Sequence, residues 1–476
     1  MRIFIILFIV ATLVPAFGIC QNTFEMVFGD VFDETGNAVL QTPDSGFILC
    51  GYSSSFPYKY EDVYIVRTDS TGHILWEKNY GSTRDERSYS INPTLNGGFI
   101  IAAEYFNETI NKTRAYLLRI DENGDTLWTR KFAGNGTANA VARDALETED
   151  GGFILCGASH DGENRGIFIL KTDAEGEALW SKIITTSTND WSFDMKKTMD
   201  GGYIFCGGTE TEPGYDDFFI VKTDANGDTI WTRHYGYAGY DAAYSIIQSD
   251  EGEYYVTGNA WDVYEPNAFD ILVIKLNEQG DSIWTRRYGG YDGEFAYSID
   301  FTNDGNIVIG GRTRTFGSGN FDMYILKIDT AGNLLWSQTY GGAELESCYA
   351  AHPTFDNGLI INGYTTSYGS GGADIYFLKT NADGLLTGIH DPNHNLKRLN
   401  IWPNPSTGNF FITLKENRGK LKIFNGLGVL VYENDIYMDT PDLNFHINLE
   451  RCSKGIYFIT FSGKSPSLWS QKLLIQ

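Results

Sequence analysis

A carboxylate recurs along most of this chain with a period close to 52 residues. The recurring acids, each three residues before an aromatic residue, are Glu86, Asp190, Asp241, Glu294 and Glu346. Glu34 lies in the same register, and Ala140 interrupts the series. Acids at equivalent heights of a repeating structure could form a ring that attracts a cation. The alternative is that each acid accepts hydrogen bonds from the backbone of its own loop, and its presence in nearly every repeat favours that structural role.

Aromatic residues are concentrated in the segments that differ most between repeats. The aromatic residues of these segments include Tyr58, Tyr105, Trp261, Tyr264, Phe316 and Tyr368. Aromatic rings beside carboxylates suit the faces and hydroxyl groups of sugars. The sequence therefore predicts a candidate ligand-binding surface made of these aromatic residues and the five periodic acids. The alternative is that they are exposed tyrosines of an acidic β-protein with no ligand.

No signature of a cofactor, a metal site or a catalytic set is visible. The seven His residues occupy no common repeat position, and no G-x-S-x-G or phosphate-binding loop occurs. Cys50, Cys156 and Cys206 share one repeat position, which predicts buried thiols and no disulfide framework. A glycosidase or lyase with two carboxylates stays open as an alternative, because Asp and Glu are abundant. The sequence favours a non-enzymatic role without a cofactor.

The net charge of −25 is unevenly distributed. Residues 21–395 contain 25 basic and 55 acidic residues, a balance of −30, whereas residues 396–476 contain 10 and 6, a balance of +4. A surface this acidic repels nucleic acid and anionic lipid and favours cations or neutral ligands. Nucleic acid is therefore excluded as the expected partner.

The elements that position these residues form a repeat. Tryptophans spaced by 51 to 53 residues mark six copies, namely Trp76, Trp128, Trp180, Trp231, Trp284 and Trp336. Each follows a turn that opens with Asp or Asn and ends with Gly, as in a tight β-hairpin. Each period has room for four short strands, the pattern of one β-propeller blade. The recurring indole predicts packing between blades.

The two ends of the repeat region predict seven blades. The first three strands occur seven times, but only six copies continue into a Trp strand. The missing strand matches the segment around Phe24, which lies 52 residues before Trp76. We therefore predict an all-β, seven-bladed propeller over residues 21–388, in which this N-terminal strand completes the last blade and removes an exposed edge.

The first twenty residues have the pattern of an export signal. Arg2 precedes the apolar run Ile3–Val14, and small residues follow. Cleavage after Cys20 would leave Gln21 as the new terminus, and the alternative is that Cys20 carries a lipid anchor. No later apolar run approaches the length of ~20 residues that spans a bilayer. The sequence thus predicts a signal peptide over 1–20 and no transmembrane segment after its removal.

The C-terminal segment departs from the repeat after a linker over residues 389–398. Short strands and turns predict an Ig-like β-sandwich over 399–476. The segment closely resembles the C-terminal sorting domain of proteins exported by the type IX secretion system of Bacteroidota. The phrase Trp402–Gly408, the strand that begins at Gly455 and the basic-apolar end carry the resemblance. Its motif residues are Pro403, Asn404, Pro405, Gly408, Gly455 and Lys472.

That resemblance implies export through the periplasm, contact with the type IX machinery, and release or attachment at the outer-membrane surface. The repeat region is similar to uncharacterised propeller repeats of such secreted proteins. The sequence therefore favours a secreted or cell-surface binding protein whose ligand is a glycan or a protein. A polysaccharide-active enzyme with paired carboxylates on the loop face is the alternative.

Overall fold

The computed structural model describes most of the chain in eighteen segments. They are residues 22–54, 60–82, 84–107, 109–134, 138–160, 164–187, 189–212, 215–237, 239–261, 269–386, 397–398, 400–403, 406–414, 418–425, 430–437, 443–449, 452–463 and 468–475. The predicted signal peptide, Tyr58, Tyr264, Asn404 and Pro405 lie outside these residues, as does most of the predicted linker.

The described residues up to Thr380 form 28 β-strands and no α-helix. In chain order the strands are β1 (Phe24–Phe28), β2 (Glu34–Gln41), β3 (Phe47–Ser53), β4 (Asp62–Thr68), β5 (Ile74–Tyr80), β6 (Glu86–Pro93), β7 (Phe99–Asn107), β8 (Lys112–Ile120), β9 (Thr126–Phe132), β10 (Asn139–Glu147), β11 (Phe153–His160), β12 (Arg165–Thr172), β13 (Ala178–Ile184), β14 (Asp190–Lys197), β15 (Tyr203–Glu212), β16 (Tyr215–Thr223), β17 (Thr229–Tyr235), β18 (Ala242–Gln248), β19 (Tyr254–Trp261), β20 (Phe269–Leu276), β21 (Ser282–Tyr288), β22 (Glu294–Phe301), β23 (Ile307–Thr313), β24 (Asp322–Ile328), β25 (Leu334–Tyr340), β26 (Glu346–Pro353), β27 (Leu359–Thr365) and β28 (Asp374–Thr380). No described segment offers an apolar helix that could cross a membrane.

These strands form seven antiparallel four-stranded sheets, the blades of a β-propeller. Blade 1 has the order β2-β3-β4-β5, blades 2 to 6 repeat that order, and blade 7 has the order β26-β27-β28-β1. The third strand of a blade is mostly apolar because neighbouring blades cover both faces, and Val63–Thr68 are all buried. The fourth strand is the outer edge, where every second side chain is exposed in β5.

The N-terminal strand closes the ring as the repeat predicts. Phe24 of β1 pairs with Lys379 of β28, and Trp76 of β5 pairs with Arg67 of β4 in the same register. The Phe24 ring lies 5.0 Å from Phe377 in its own blade and 5.8 Å from Phe47 in blade 1. This residue therefore joins the first and last blades. The prediction that the N-terminal strand completes blade 7 is confirmed.

Each tryptophan packs on the hairpin glycine of the next blade. Gly124 has a φ of 77°, and a Cβ atom added there would lie 2.7 Å from the Trp76 ring. Glycine is needed at this position for its left-handed backbone and for the space that the indole fills. The other pairs are Trp128 with Gly176, Trp180 with Gly227, Trp231 with Gly280, Trp284 with Gly332 and Trp336 with Gly384. The tryptophans therefore interlock neighbouring blades.

The C-terminal strands form two further sheets with their own core. The strands are β29 (Lys397–Arg398), β30 (Asn400–Trp402), β31 (Asn409–Leu414), β32 (Arg418–Asn425), β33 (Leu430–Tyr437), β34 (Leu443–Asn448), β35 (Gly455–Gly463) and β36 (Leu468–Ile475). One sheet has the order β29-β36-β35-β32-β33 and the other β30-β31-β34. Phe410 of the smaller sheet and Phe461 of the larger one belong to a single buried cluster. The segment is a β-sandwich.

Replacement of Phe24 by alanine tests the closing strand. Phe24 is 5% exposed and its ring contacts two blades. We expect Phe24→Ala to lower the free energy of unfolding by about 3–5 kcal/mol in denaturant titrations. Val31→Ala, at an exposed position of the same segment, is the control and should change stability by less than about 0.5 kcal/mol. Equal stability of the two variants would contradict closure by β1.

Candidate functional site

The innermost strand of every blade contains a β-bulge at the same repeat position. In blade 4 the register shifts between Ser192 and Asp194, so that Phe193 has no direct partner on β15. The unpaired residues of the seven blades are Asn37, Tyr89, Arg143, Phe193, Tyr244, Tyr297 and Tyr349. A bulge redirects a side chain relative to the regular alternation of the strand. The fold therefore sets one residue per blade apart from the ladder.

A glycine in the second strand makes room for most of these bulges. A Cβ atom at Gly51 would overlap the carbonyl oxygen of Thr35 on the neighbouring strand. The same overlap occurs at Gly157, Gly207, Gly258, Gly311 and Gly363. Ala103 occupies this position in blade 2, opposite Ser88. The close approach of the inner strand thus leaves no room for a side chain in six blades, and in blade 2 the side chain is only a methyl group.

The seven bulge residues line one cavity of about 350 Å³, together with Tyr52 and Arg87. We call these seven residues the axial ring. The rings of Phe193 and Tyr244 stack at 4.6 Å, and Tyr297 lies 5.2 Å from Tyr244 and 5.2 Å from Tyr349. Blades 4 to 7 therefore contribute a continuous aromatic wall.

The tyrosines of the axial ring are protonated at neutral pH. Burial raises the pKa of Tyr89, Tyr244, Tyr297 and Tyr349 above the ordinary value of a phenol. A protonated hydroxyl can donate a hydrogen bond, as the Tyr89 hydroxyl does to Glu104 Oε1 at 2.7 Å. The ring thus presents hydrogen-bond donors beside apolar ring surface.

Arginines line the same cavity and its edge. Arg87 pairs with Glu61 and, at 3.5 Å, with Glu104. Arg143 lies 3.8 Å above the ring of Tyr89, and Arg312 lies 5.9 Å from the ring of Tyr297. No carboxylate of the described residues forms an ion pair with Arg143 or Arg312. The cavity therefore contains both neutralised and unneutralised cations.

Five more aromatic residues lead away from the axial ring, from the connection between blades 4 and 5 across blades 5 and 6. They are Tyr240, Trp261, Phe269, Phe295 and Phe321, and we call them the aromatic belt. Consecutive ring centroids are 5.7, 6.1, 5.1 and 6.0 Å apart. Arg312 lies 4.7 Å from Phe295 and 4.5 Å from Phe321, and also contacts Tyr297 of the axial ring. The belt and the ring are therefore connected through Arg312.

The aromatic residues predicted from the sequence do not all meet. Trp261 belongs to the aromatic belt. Tyr105 lies beneath Lys131 at 3.1 Å, Phe316 stacks on Tyr324 of its own blade, and Tyr368 packs on Tyr376. Tyr58 and Tyr264 lie outside the described residues. The sequence reasoning missed the axial ring, although its signal was an aromatic residue three positions after most of the periodic acids.

The periodic acids are buried inside the blades. Glu86, Asp190, Asp241, Glu294 and Glu346 are 0–2% exposed. Glu346 accepts hydrogen bonds from Gly342 N at 2.8 Å, Thr365 Oγ1 at 2.7 Å and Ser367 N at 3.2 Å, and Glu294 has the same set of partners in its blade. Each acid thus fastens its loop to the blade. A role in ligand binding stays a prediction, and this geometry favours the structural alternative.

A second carboxylate faces the periodic acid at most of the junctions between blades. Asp374 and Glu34 both point at Gly29, where an added Cβ atom would collide with both. Asp217 with Asp241, Asp270 with Glu294 and Asp322 with Glu346 repeat this arrangement. Burial, reinforced by Glu34, raises the pKa of Asp374 to about 7, and burial also raises the pKa of Asp241 to about 7. Asp374 and Asp241 therefore retain their protons to a higher pH than an exposed Asp does.

A further groove lies outside the axis, where the ring closes. It has a volume of about 770 Å³ and lies between β1 and β5. At this junction Phe24, Met26 and Phe28 stand where blade 1 has Trp76, Lys78 and Tyr80. The shorter side chains leave space that the interlocking residues fill elsewhere. The groove is therefore a consequence of closure by a less bulky strand.

Among the described residues, no group of three or more His, Cys, Asp or Glu is placed to hold a metal ion.

Comparison with known proteins identifies the C-terminal segment. Residues 400–476 match the family model described as "Secretion system C-terminal sorting domain". This confirms the type IX sorting domain that the sequence predicts, a domain that implies export to the cell surface or secretion. Of its motif residues, Pro403 is exposed, Gly408 is buried, Gly455 begins β35 and Lys472 lies in β36.

The chain also has more distant similarities. The chain is 24% identical over 181 residues to the regulatory protein FlaEY of Caulobacter vibrioides. This alignment covers 33% of this chain and 18% of that protein. The chain thus spans about a fifth of that relative. The Pan2 WD40 domain of Neurospora crassa has a TM-score of 0.46 and 9% identity, and covers 72% of this chain and 89% of that one. Sqt1 of Chaetomium thermophilum has a TM-score of 0.43 and 11% identity, and the alignment covers 75% of this chain and 98% of that one.

Replacement of Asp374 by asparagine tests the buried carboxyl pairs. The folded state holds the Asp374 proton up to about pH 7, whereas an unfolded Asp releases it near pH 3.8. The folded state therefore binds more protons in this interval, and stability falls as the pH rises through it. We expect Asp374→Asn to raise the free energy of unfolding by about 1 kcal/mol at pH 8 and to flatten its decline between about pH 4 and 7.

Denaturant titrations at several pH values measure this effect. Asp383→Asn is the matched control, because Asp383 is an exposed residue of the next hairpin. A decline with pH that is as steep in Asp374→Asn as in the unmodified chain would show that this carboxyl is ionised in the folded state.

Proposed function

We propose that this chain is an exported β-propeller that binds a glycan at its axial ring. The observation that carries the proposal is the repeated bulge, which directs one side chain from each of seven blades into a single cavity. Bulges concentrate where a fold positions side chains for function. The match of residues 400–476 to a sorting domain supports export of the whole chain.

The chemistry of the cavity supports a glycan as ligand. Sugars combine apolar ring faces with many hydroxyl groups, and sites that bind them combine aromatic rings with polar groups that fix orientation. The axial ring offers aromatic rings, protonated tyrosine hydroxyls and the Asn37 amide. The aromatic belt extends this surface across blades 5 and 6, which suits an elongated chain better than a single small molecule.

The domain organisation in this proposal follows the sequence. Residues 1–20 direct the chain to the periplasm, residues 21–388 form the binding propeller, and residues 389–398 connect it to the sorting domain at 399–476. The type IX machinery of a member of the Bacteroidota would recognise that domain and then release the propeller or attach it to the outer-membrane surface.

The enzymatic alternative receives no comparable support. A glycosidase needs two carboxyl groups open to the scissile bond. Glu34 and Asp374 are 2% and 1% exposed, and Glu346 and Asp322 are 0% and 2% exposed. Both pairs are covered by backbone of the junctions between blades. A binding role therefore fits the described carboxylates better than a catalytic one.

Alanine replacement of Tyr244 and Tyr297 tests this function. Titration calorimetry of the exported protein against polygalacturonate, alginate, xyloglucan and mixed-linkage β-glucan would identify a binding polysaccharide. We expect each alanine variant to lose about 10-fold or more in affinity, since residues at the centre of a binding site contribute most of the free energy of binding.

Phe355→Ala is the matched control, because this exposed residue lies in the turn between β26 and β27, and it should bind as the unmodified chain does. Tyr244→Phe keeps the stacked ring and guards against loss by misfolding. Binding that survives both alanine variants would place the ligand elsewhere. A chain that binds a protein and no polysaccharide would contradict the glycan proposal.

A further inference from the structure

The position of Arg143 in the axial ring has a consequence for the ligand. Four of the seven blades place Tyr at the bulge, one places Phe and one Asn, whereas blade 3 places Arg143 there. Its guanidinium lies 3.8 Å from the Tyr89 ring and 5.6 Å from the Phe193 ring. The aromatic neighbours on both sides hold the cation at the wall of the cavity.

The blade that carries Arg143 lacks the acids that the other blades have. Three positions form a junction between two blades: the start of the third strand, the end of the fourth, and the periodic acid. Between blades 2 and 3 these positions are Arg114, Ala133 and Ala140, and no carboxylate occupies any of them. Every other junction has at least one carboxylate. The acid series is thus interrupted at the arginine of the ring.

The remaining neighbours of Arg143 do not neutralise it. Asp144, the next residue, is 5% exposed and accepts a hydrogen bond from Asn92 Nδ2 at 2.9 Å. Arg165 lies close enough to act on Arg143 electrostatically. Burial, followed by the charge of Arg143, lowers the pKa of Arg165 to about 10, and the charge of Asp216 acts in the opposite direction, so Arg165 stays charged at neutral pH. Arg143 and Arg165 therefore share this sector of the propeller.

Arg165 lines a second cavity of about 340 Å³. Other residues of its lining are His160, Asn139, Asn189 and Val141, and Val141 lies two residues before Arg143. The Arg165 guanidinium lies 4.7 Å above the Trp191 ring. Cations held on aromatic faces keep their N–H groups available to an anion.

An unneutralised cation in a cavity carries a desolvation cost that a bound anion offsets. The wider propeller is strongly acidic, so a cationic sector there runs against the general charge of the chain. We infer that the axial ring binds an acidic glycan, a polysaccharide with carboxylate or sulfate groups, and that Arg143 contacts one of these groups. This inference rests on the proposed function, because it names the class of glycan for the same site.

Matched pairs of acidic and neutral oligosaccharides test the inference. The probes are an oligogalacturonate with its fully methyl-esterified form, and a sulfated oligosaccharide with its desulfated form. We expect the protein to bind at least one acidic member about 10-fold or more tightly than its neutral partner, with affinity that falls as salt rises. Arg143→Gln should remove this preference, and Arg143→Lys should retain part of it.

Arg286→Gln is the matched control, because Arg286 lies on an outer strand beside Trp284. This variant should prefer the acidic probe to the same extent as the unmodified chain. The inference is overturned if acidic and neutral oligosaccharides bind equally, or if Arg143→Gln weakens the binding of both equally. In either case, loss of binding in Tyr244→Ala would still show that the axial ring binds a glycan. If no oligosaccharide binds, or Tyr244→Ala leaves binding intact, the proposed function itself fails.

Discussion

The close approach of the inner strand to its neighbour is the constraint on which the rest of this structure depends. The carbonyl oxygen of Thr35 occupies the space that a side chain at Gly51 would need, and five other blades repeat this contact. Because the strands meet there, an extra residue is accommodated in the inner strand of each blade, and its side chain is turned toward the axis. The cavity at the axis follows from this backbone geometry and from the closed ring that holds the seven inner strands in place.

Differences between the blades in residue type determine the chemistry of the axial cavity. The tryptophans, the hairpin glycines and the periodic acids hold equivalent positions, and they perform the same structural tasks wherever they occur. The departures from the pattern coincide in space. At the junction of blades 2 and 3, Arg114 and Ala140 stand where other junctions have acids, and the ring residue that follows is Arg143. Blades 4 to 7 instead supply stacked aromatic residues, so the ring has a cationic sector and an aromatic sector.

Much of the fold was predictable because its signals are local and repeated. The spacing of the tryptophans indicated the blades, and the register of Phe24 with Trp76 predicted the closing strand, which the structure confirms. The binding surface was less accessible. Alternation alone does not show that Tyr244 faces the axis, since this depends on a bulge whose register is set by pairing with β19. The periodic acids resembled a site, but their burial depends on loop backbone that a linear pattern does not reveal.

The central claim is that the bulge residues form a ligand site at the propeller axis. A crystal structure of the propeller with a bound acidic oligosaccharide tests this most directly. The account predicts electron density for the sugar within the axial ring, with an acidic group at hydrogen-bonding distance from the Arg143 guanidinium. Density confined to the groove between β1 and β5, or to the sorting domain, with an unchanged and empty axial cavity, would contradict it.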